Sequence, residues 1–535
     1  MRQAMATAAA LIHDREAPAS WSRRTWYLVT IGLLVSLPYF WLERHVAFPV
    51  TQVSASAIDR AIPFVPCTAW LYISLYLQLA LPVFLVKDAT RLRHMVFGFG
   101  WIAVVSHLTF FFWPTAVAAF SASSFAMPMR LILAADTSGN ALPSLHASLA
   151  VYCGLCSAKL IINKWLRSGM WIWTFLILAS TLLAKRHELV DILAGSALGA
   201  FAYWALSRQR PHEPAYCKAW QTTINARKSL SQGIETELAP LFLTNGRKRV
   251  FELAYFFSVA IVGVWLSLYG WAGSRWFLIA SGILVTALAL NAFVLLMHDG
   301  MHSTLFKNRQ WNWLGSVLLG STFLMSFTAY RILHTRHHKF LGDPRDPDDY
   351  QNYVRPRLLL WFLHFVRLTV GSLLYLALIP FLALKYGSDA ERRRILGEYA
   401  FLFAVYSALL RFVPGHILFF AWFVPLLIVG SLTAVRGFTQ HGITDAADPL
   451  LASRTVFPNP VVGFFLLHEN YHLEHHLFPE VPSYYLPRLH QLIWRRLPRA
   501  VSSRGYLSFL SKFLRATPRM DETPIGLEHP AKRSA

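Results

Sequence analysis

Long apolar runs separated by short polar, mostly basic segments set the pattern of this chain. Before residue 207 there are six such runs, at 25–42, 62–86, 95–113, 144–162, 169–184 and 188–206. After residue 248 four more follow, at 251–270, 276–297, 399–413 and 415–435. Runs of about 18 apolar residues predict membrane-crossing helices. The pattern therefore predicts an all-α polytopic membrane protein, a six-span helical bundle fused to a four-span helical domain. The fifth run is short, and Lys185 and Arg186 can snorkel at its end. The run 358–384 carries His364 and Arg367 and is followed by the basic "KYGSDAERRRILGE", which predicts a re-entrant or interfacial hairpin.

The same pattern sets the boundaries. Residues 1–24 form a polar cytoplasmic lead, 25–206 the first domain, 207–248 a polar linker and 249–497 the second domain. Residues 498–535 form a basic tail, and the stretch from Leu486 to Arg519 is expected to lie as an amphipathic helix on an anionic leaflet. The first apolar run follows its lead without an A-x-A cleavage site, which predicts a retained anchor.

Composition supports the membrane assignment: 55% of the residues are hydrophobic and only 15% charged, against about 25% charged in soluble domains. The net charge of +22 could suggest nucleic acid as a partner, but no basic cluster lies on a soluble module. Basic loops of a membrane protein account for it instead. Arg91, Arg93, Lys159, Lys164 and Arg167 fall on the side of Arg23 and Arg24 and of the linker, which predicts a cytoplasmic N-terminus. The loop ending in "LPSLH" and the stretch "KRHELVD" then share the outer face. Cys153 and Cys156 form a C-x-x-C inside an apolar run, where small buried side chains are expected rather than a redox pair.

Ionisable residues at a membrane edge are candidates for function. His187 and Asp191 stand four apart and would share a helix face. A carboxylate on one imidazole nitrogen makes the other more basic, as a nucleophile requires. Ser144 and His146, at the start of the fourth run, add a second imidazole able to protonate a leaving alkoxide. Lys185, Arg186 and Arg130 could hold phosphate oxygens. Over residues 60 to 206 the pattern resembles the type 2 phosphatidic acid phosphatase superfamily, closest to its inositol phosphorylceramide synthase-like branch. The resemblance implies His146 of P-S-x-H as general acid, His187 as the nucleophile that becomes phosphohistidine, and Asp191 as its partner. The family's Lys-x6-Arg-Pro motif does not occur in that form, and "WPTAVAAFSASSFAMPMR", ending at Arg130, stands where that branch carries a Pro-Thr segment. Thr181 occupies the position of an expected arginine, which leaves Lys185 or Arg186 to replace it.

The second half holds three histidine boxes: "HDGMH" (His298, His302), "HTRHH" (His334, His337, His338) and "HENYHLEHH" (His468, His472, His475, His476). His441 in "RGFTQHG" adds another. So many imidazoles exceed the roughly four ligands of one zinc ion and suit two metals of higher coordination number, with iron favoured for oxygen chemistry. The boxes, with the trailing "HHLFPEVPSYYLPRLH", resemble the membrane fatty acid desaturase family over roughly residues 250 to 495. The resemblance implies a non-haem centre of two iron ions that uses dioxygen as co-substrate. Its ligands would be His298, His302, His334, His337, His338, His441, His472, His475 and His476. His468 and Asn470 are further candidates, while Asp299, Asp346 and Glu474 are expected to orient imidazoles. His364, His416 and His490 are expected to be structural.

No flavin, nicotinamide or haem motif occurs, so electrons must come from a ferredoxin or a b-type cytochrome with its reductase. Together these readings predict a bifunctional membrane lipid enzyme, in a bacterial inner membrane, with the histidine boxes cytoplasmic. Three alternatives stay open: a lipid hydroxylase or ketolase using the same boxes, a catalytically silent phosphatase-like module, and a transporter.

Overall fold

In the computed structural model the described residues are 20–86, 88–118, 129–130, 132, 139–161, 163–207, 218–341, 343, 345–348, 356–445 and 448–516. The chain divides into two compact units, Met1–Arg208 and Gln209–Ala535. Among the described residues nine helices are long and apolar enough to cross a membrane.

The first unit places a helix at each of the six apolar runs. These are α1 (Trp21–Arg44), α2 (Leu75–Leu85, continuing a helical stretch from Pro66), α3 (Ala89–Phe112), α4 (Leu145–Leu160), α5 (Lys164–Leu183) and α6 (Leu189–Ser207). Polar caps start several of them: Ser20 for α1, Asp88 for α3, Ser144 for α4 and Asn163 for α5 each accept a backbone N–H of the first turn. Helices α4 and α6 pack backbone to backbone. A Cβ at Gly195 would stand 2.3 Å from the Ser144 carbonyl oxygen, and one at Gly199 2.3 Å from that of Ser148. Only glycine permits that approach, as small residues do between membrane helices, and it locks together the two helices that carry His146 and Asp191. Cys153 and Cys156 are buried on α4, and burial suits their expected packing role.

The second unit contains α7 (Lys218–Ser231), α8 (Gly246–Ala272), α9 (Trp276–Met301), α10 (Arg309–Ser321), α11 (Phe327–Phe340), α12 (Arg357–Val366), α13 (Ser372–Tyr386), α14 (Asp389–Phe412), α15 (Val424–His441), α16 (His472–Leu477), α17 (Leu486–Ile493) and α18 (Tyr506–Ala516). Helix α15 continues a helical stretch that begins at Gly415. Two short parallel strand pairs occur, Thr51–Gln52 with Thr115–Ala116 in the first unit and Thr455–Val456 with Ser502–Ser503 in the second.

Three expectations change here. The polar segment 207–248 is folded from Lys218 onward: Leu230, Leu238 and Leu241 are buried against Leu473, Leu477 and Phe478 below the third histidine box. The run 358–384 makes no hairpin; α12 passes through a π-helical turn at Arg367–Gly371 straight into α13. The segment after Leu486 is not one surface helix. Leu489 and Ile493 of α17 are buried in the same cluster, and Phe509 and Phe513 of α18 pack on Ala434 and Phe438 of α15. Its apolar face therefore has a protein partner. The lead 1–19 and the tail 517–535 lie outside the described residues.

Candidate functional sites

Four elements of the second unit end at one place. The last turn of α9 brings His298, and the residue after it is His302; α11 brings His334, His337 and His338. Helix α15 ends on His441, and α16 supplies His472, His475 and His476. Their rings form two sets. His298, His302, His334, His338 and His475 offer five nitrogens within 4.8 Å of one another, and His337, His441 and His476 offer three more. His472 completes the second set, its Nε2 lying 2.9 Å from His441 Nε2 and 3.1 Å from His476 Nε2.

The spacing fits metal ions. His334 Nε2 lies 2.9 Å from His302 Nε2 and 3.0 Å from His338 Nε2. A single imidazole nitrogen, with one proton or one lone pair, cannot satisfy both neighbours in plane. Two nitrogens each about 2.1 Å from a shared cation, at a right angle, would stand about 3.0 Å apart. The protonation states agree. Burial first, then the neighbouring imidazoles, pushes His302 down to about 3 and His334, His338, His475 and His476 well below the usual histidine range. These rings are neutral near pH 7, the form that binds a metal.

Carboxylates hold the outer nitrogens. Asp346 meets His337 Nδ1 at 2.8 Å. Glu469, which the box spacing did not single out, does more: its Oε1 lies 3.1 Å from His298 Nδ1 and 4.0 Å from His475 Nδ1, and its Oε2 lies 3.3 Å from His472 Nδ1. One buried carboxylate thus spans both sets. Burial alone would raise its carboxyl, but His298 and His475 outweigh that and hold it well below the usual carboxylate range. Glu474 serves differently from expectation, accepting from His490 Nδ1 at 2.5 Å and from Thr455 Oγ1 at 2.7 Å. Asp299 lies beside His298 and Glu469, yet its carboxylate is bonded to Arg249 and Ser483. The end of α15 is tied by buried Arg454, which donates to the carbonyls of Thr439 at 2.6 Å, Gly442 at 2.8 Å and Ile443 at 3.0 Å.

In the first unit, His146 in the opening turn of α4 stacks on Tyr72 at 3.9 Å, and its ring centre lies 6.5 Å from that of His187. His187 Nδ1 is 3.6 Å from Asp191 Oδ2, while that same oxygen accepts the Glu188 N–H at 2.9 Å. The Ser144 N–H donates to the Asp191 carbonyl at 3.1 Å. The two imidazoles thus stand 6.5 Å apart, ring centre to ring centre, beside the α4–α6 contact.

Residues 274–507 match the fatty acid desaturase family, and residues 39–205 match the PAP2 superfamily. The chain carries one domain of each family. The desaturase domain is 27% identical over 242 residues to dihydrorhizobitoxine desaturase of Bradyrhizobium elkanii, covering 41% of this chain and 68% of that protein. It is 26% identical over 255 residues to zeaxanthin 4-ketolase of Chlamydomonas reinhardtii, covering 45% of this chain and 52% of the ketolase. It is also 26% identical over 261 residues to sn-1 oleoyl-lipid 12-desaturase of Arthrospira platensis, covering 43% of this chain and 71% of that enzyme.

In the desaturase domain the structure gathers all nine histidines expected as ligands. His468 stands outside both groups, and the Asn470 side-chain amide donates to the Val456 carbonyl at 3.0 Å. His364 packs between Phe438 and Phe513, and His416 stacks near Trp271. In the PAP2 domain, Ser144 Oγ caps α4 by accepting from Ala147 N–H, and Lys185 Nζ donates to the Asp59 carbonyl at 2.6 Å. Two of the four residues expected to hold phosphate thus hold the protein's own backbone. Arg130 is exposed, and Arg186 adjoins the His187 turn. Most of the loop that leads to Arg130 lies outside the described residues. Its first part is knitted to the His146 loop, since Thr115 Oγ1 accepts from Leu142 N–H at 2.8 Å and Ala141 N–H donates to the Thr115 carbonyl at 2.9 Å.

Proposed function

We propose that this protein is a bifunctional membrane lipid enzyme. In this reading the desaturase domain removes two hydrogens from a lipid acyl chain at the cytoplasmic face, and the PAP2 domain cleaves or transfers a lipid phosphate at the outer face. The observation that carries the first half is the convergence of nine imidazoles into two sets at metal-ligand spacing. His298, His302, His334, His338 and His475 would hold one iron ion, and His337, His441, His472 and His476 the other. Two iron ions held there supply the reduction of dioxygen coupled to C–H oxidation. The balance is one dioxygen, two electrons and two protons for each –CH2–CH2– converted to –CH=CH–, with two waters formed. The electrons come from a ferredoxin or b-type cytochrome. Glu469 beside His298 and His472, and Asp346 beside His337, hold outer nitrogens and would leave the opposite nitrogen of those rings for the metal, and the apolar helices α9 and α15 would exclude water from the acyl chain.

In the PAP2 domain, His187 would attack phosphorus while His146 protonates the departing oxygen. Asp191 would support the resulting imidazolium, its 3.6 Å contact shortening as charge develops. Arg130 and Arg186 remain the candidates for the phosphate oxygens. The N-terminus is read as cytoplasmic from the basic loops, and a bacterial inner membrane is the proposed location.

The equal likeness to a carotenoid ketolase and to an acyl-lipid desaturase keeps oxygen insertion as a second reading of the same centre. Lipid profiling by mass spectrometry of a host expressing the intact protein, His475→Ala and His187→Ala separates these readings. Loss of two hydrogens that depends on His475 supports desaturation, and gain of one oxygen supports the second reading. A headgroup change that survives His187→Ala removes the phosphoryl-transfer role.

A further inference from the structure

The turn that carries His187 joins α5, which ends at Leu183, to α6, which starts at Leu189. Lys185 stands in this turn with φ of 53°, a left-handed conformation that a residue other than glycine keeps only where its surroundings impose it. One residue of the segment between α1 and α2 reaches both ends of the turn. It is Asp59, on the short helix Ala57–Ala61. The Asp59 carbonyl accepts the Lys185 ammonium at 2.6 Å, and its carboxylate Oδ1 accepts the Leu189 N–H at 2.7 Å. These two partners lie two residues before and two residues after His187, yet 126 and 130 residues from Asp59 in sequence.

Asp59 is itself fixed. Its Oδ2 accepts the Ser56 N–H at 2.8 Å and the Ser56 hydroxyl at 2.5 Å, and the Asp59 N–H donates back to Ser56 Oγ at 3.2 Å. The residue is only 4% exposed, so water competes little for these bonds. Farther along the same segment, the Val65 N–H donates to the Leu183 carbonyl at 2.8 Å, and Tyr72 stacks on His146. One stretch of chain, Ser56 to Tyr72, thus supports both imidazoles. The ring of His187 depends on that support. Its Nδ1 has no hydrogen-bond partner among the described residues, so the backbone of the turn sets where the imidazole stands.

We propose that Asp59 is a positioning residue for His187, clamping the turn on both sides of the nucleophile without touching the phosphate. Lys185 belongs to the same clamp, and its ammonium serves the turn and not the substrate. Attack on phosphorus needs the imidazole nitrogen placed to within about an ångström, and a misplacement of that size costs about a hundredfold in rate. This inference rests on the reading of the PAP2 domain as a phosphoryl-transfer site, whereas the clamp itself is read from the hydrogen bonds.

The test uses the full-length protein in nanodiscs and follows two signals, phosphate release from phosphatidic acid and modification of His187 by diethyl pyrocarbonate, read by mass spectrometry. Exposed His45 is the internal reference for the second. Asp59→Ala removes the acceptor of the Leu189 N–H and should lower kcat by about tenfold or more, with KM little changed. Asp59→Asn keeps a side-chain oxygen for that N–H and should recover most of the rate. Lys185→Met separates the two roles of the lysine, since a clamp predicts a fall in kcat and a phosphate ligand a rise in KM. In Asp59→Ala and Lys185→Met alike, modification of His187 should speed up severalfold relative to His45. If Asp59→Ala does not fold, Lys185→Met carries the same two readouts. Unchanged kcat with unchanged labelling overturns the proposal, and so does a raised KM at constant kcat in Lys185→Met. If the intact protein releases no phosphate while His187 labelling still depends on Asp59 and Lys185, the clamp stands and the phosphoryl-transfer reading falls.

Discussion

Glu469 Oε1 lies 3.1 Å from Nδ1 of His298, while the other oxygen of the same carboxylate lies 3.3 Å from Nδ1 of His472. The two imidazoles belong to different ligand sets, so one buried carboxylate sits against both. Removing such an outer partner costs about 10–100-fold in metal affinity. Glu469→Gln should lower iron retention by that order in chelator competition and disturb both iron environments in Mössbauer spectra. Unchanged retention and spectra would show that the carboxylate is only a packing partner.

Arg454 donates to three carbonyls at and just beyond the end of the helix that carries His441. Arg454→Leu leaves buried acceptors unpaired, each costing about 1–3 kcal/mol, and frees the segment that places His441. Iron should fall from two toward one per chain, with the loss confined to the second set. Two irons with unaltered spectra would contradict this.

The α4–α6 contact gives a test in the PAP2 domain. Gly195→Ala drives a methyl group into the Ser144 carbonyl, whereas Gly169→Ala points into open space. Overpacking of this kind costs about 1–3 kcal/mol and separates His146 from Asp191. Phosphate release from phosphatidic acid should drop by about tenfold or more in the first variant only, with iron content unchanged in both. Equal activities would mean that the helix contact does not set the site.

Acidification should destabilise the metal-free protein. Burial and then His298 push His302 down to about 3, against about 6.5 in an unfolded chain. Between these values the unfolded chain takes up a proton that the native protein refuses, so stability falls as pH drops through that window and is fully present above it. Thermal unfolding of metal-free protein should show a Tm that rises from pH 5 to 7, and a flat profile would argue against neutral buried imidazoles.

Much of this was legible in the sequence because membrane helices and histidine spacing are strong local signals. The ten apolar runs all became helices, and the eight histidines assigned by box position converged together with His441, which the family likeness had added. The misses come from backbone geometry and long-range contacts. His468 and His472 have helical spacing, but Leu467 and His468 adopt left-handed backbone conformations, with φ of 46° and 63°, and α16 begins only at His472. That turn takes His468 away from the cluster and brings Glu469 into it. Asp299 looked free to orient an imidazole, but buried Arg249, 50 residues earlier, engages it. Lys185 looked like a phosphate ligand until Asp59, 126 residues away, supplied a carbonyl for its ammonium. No spacing rule reports such pairings.

Nine imidazoles converge in two sets that would hold two iron ions. The most direct measurement is metal analysis with Mössbauer spectroscopy on protein purified from cells grown with enriched iron. The account predicts two irons per chain in two distinct nitrogen-rich environments, with His475→Ala losing one signal and His441→Ala the other. A single tetrahedral zinc per chain, or iron that survives both substitutions, would contradict it.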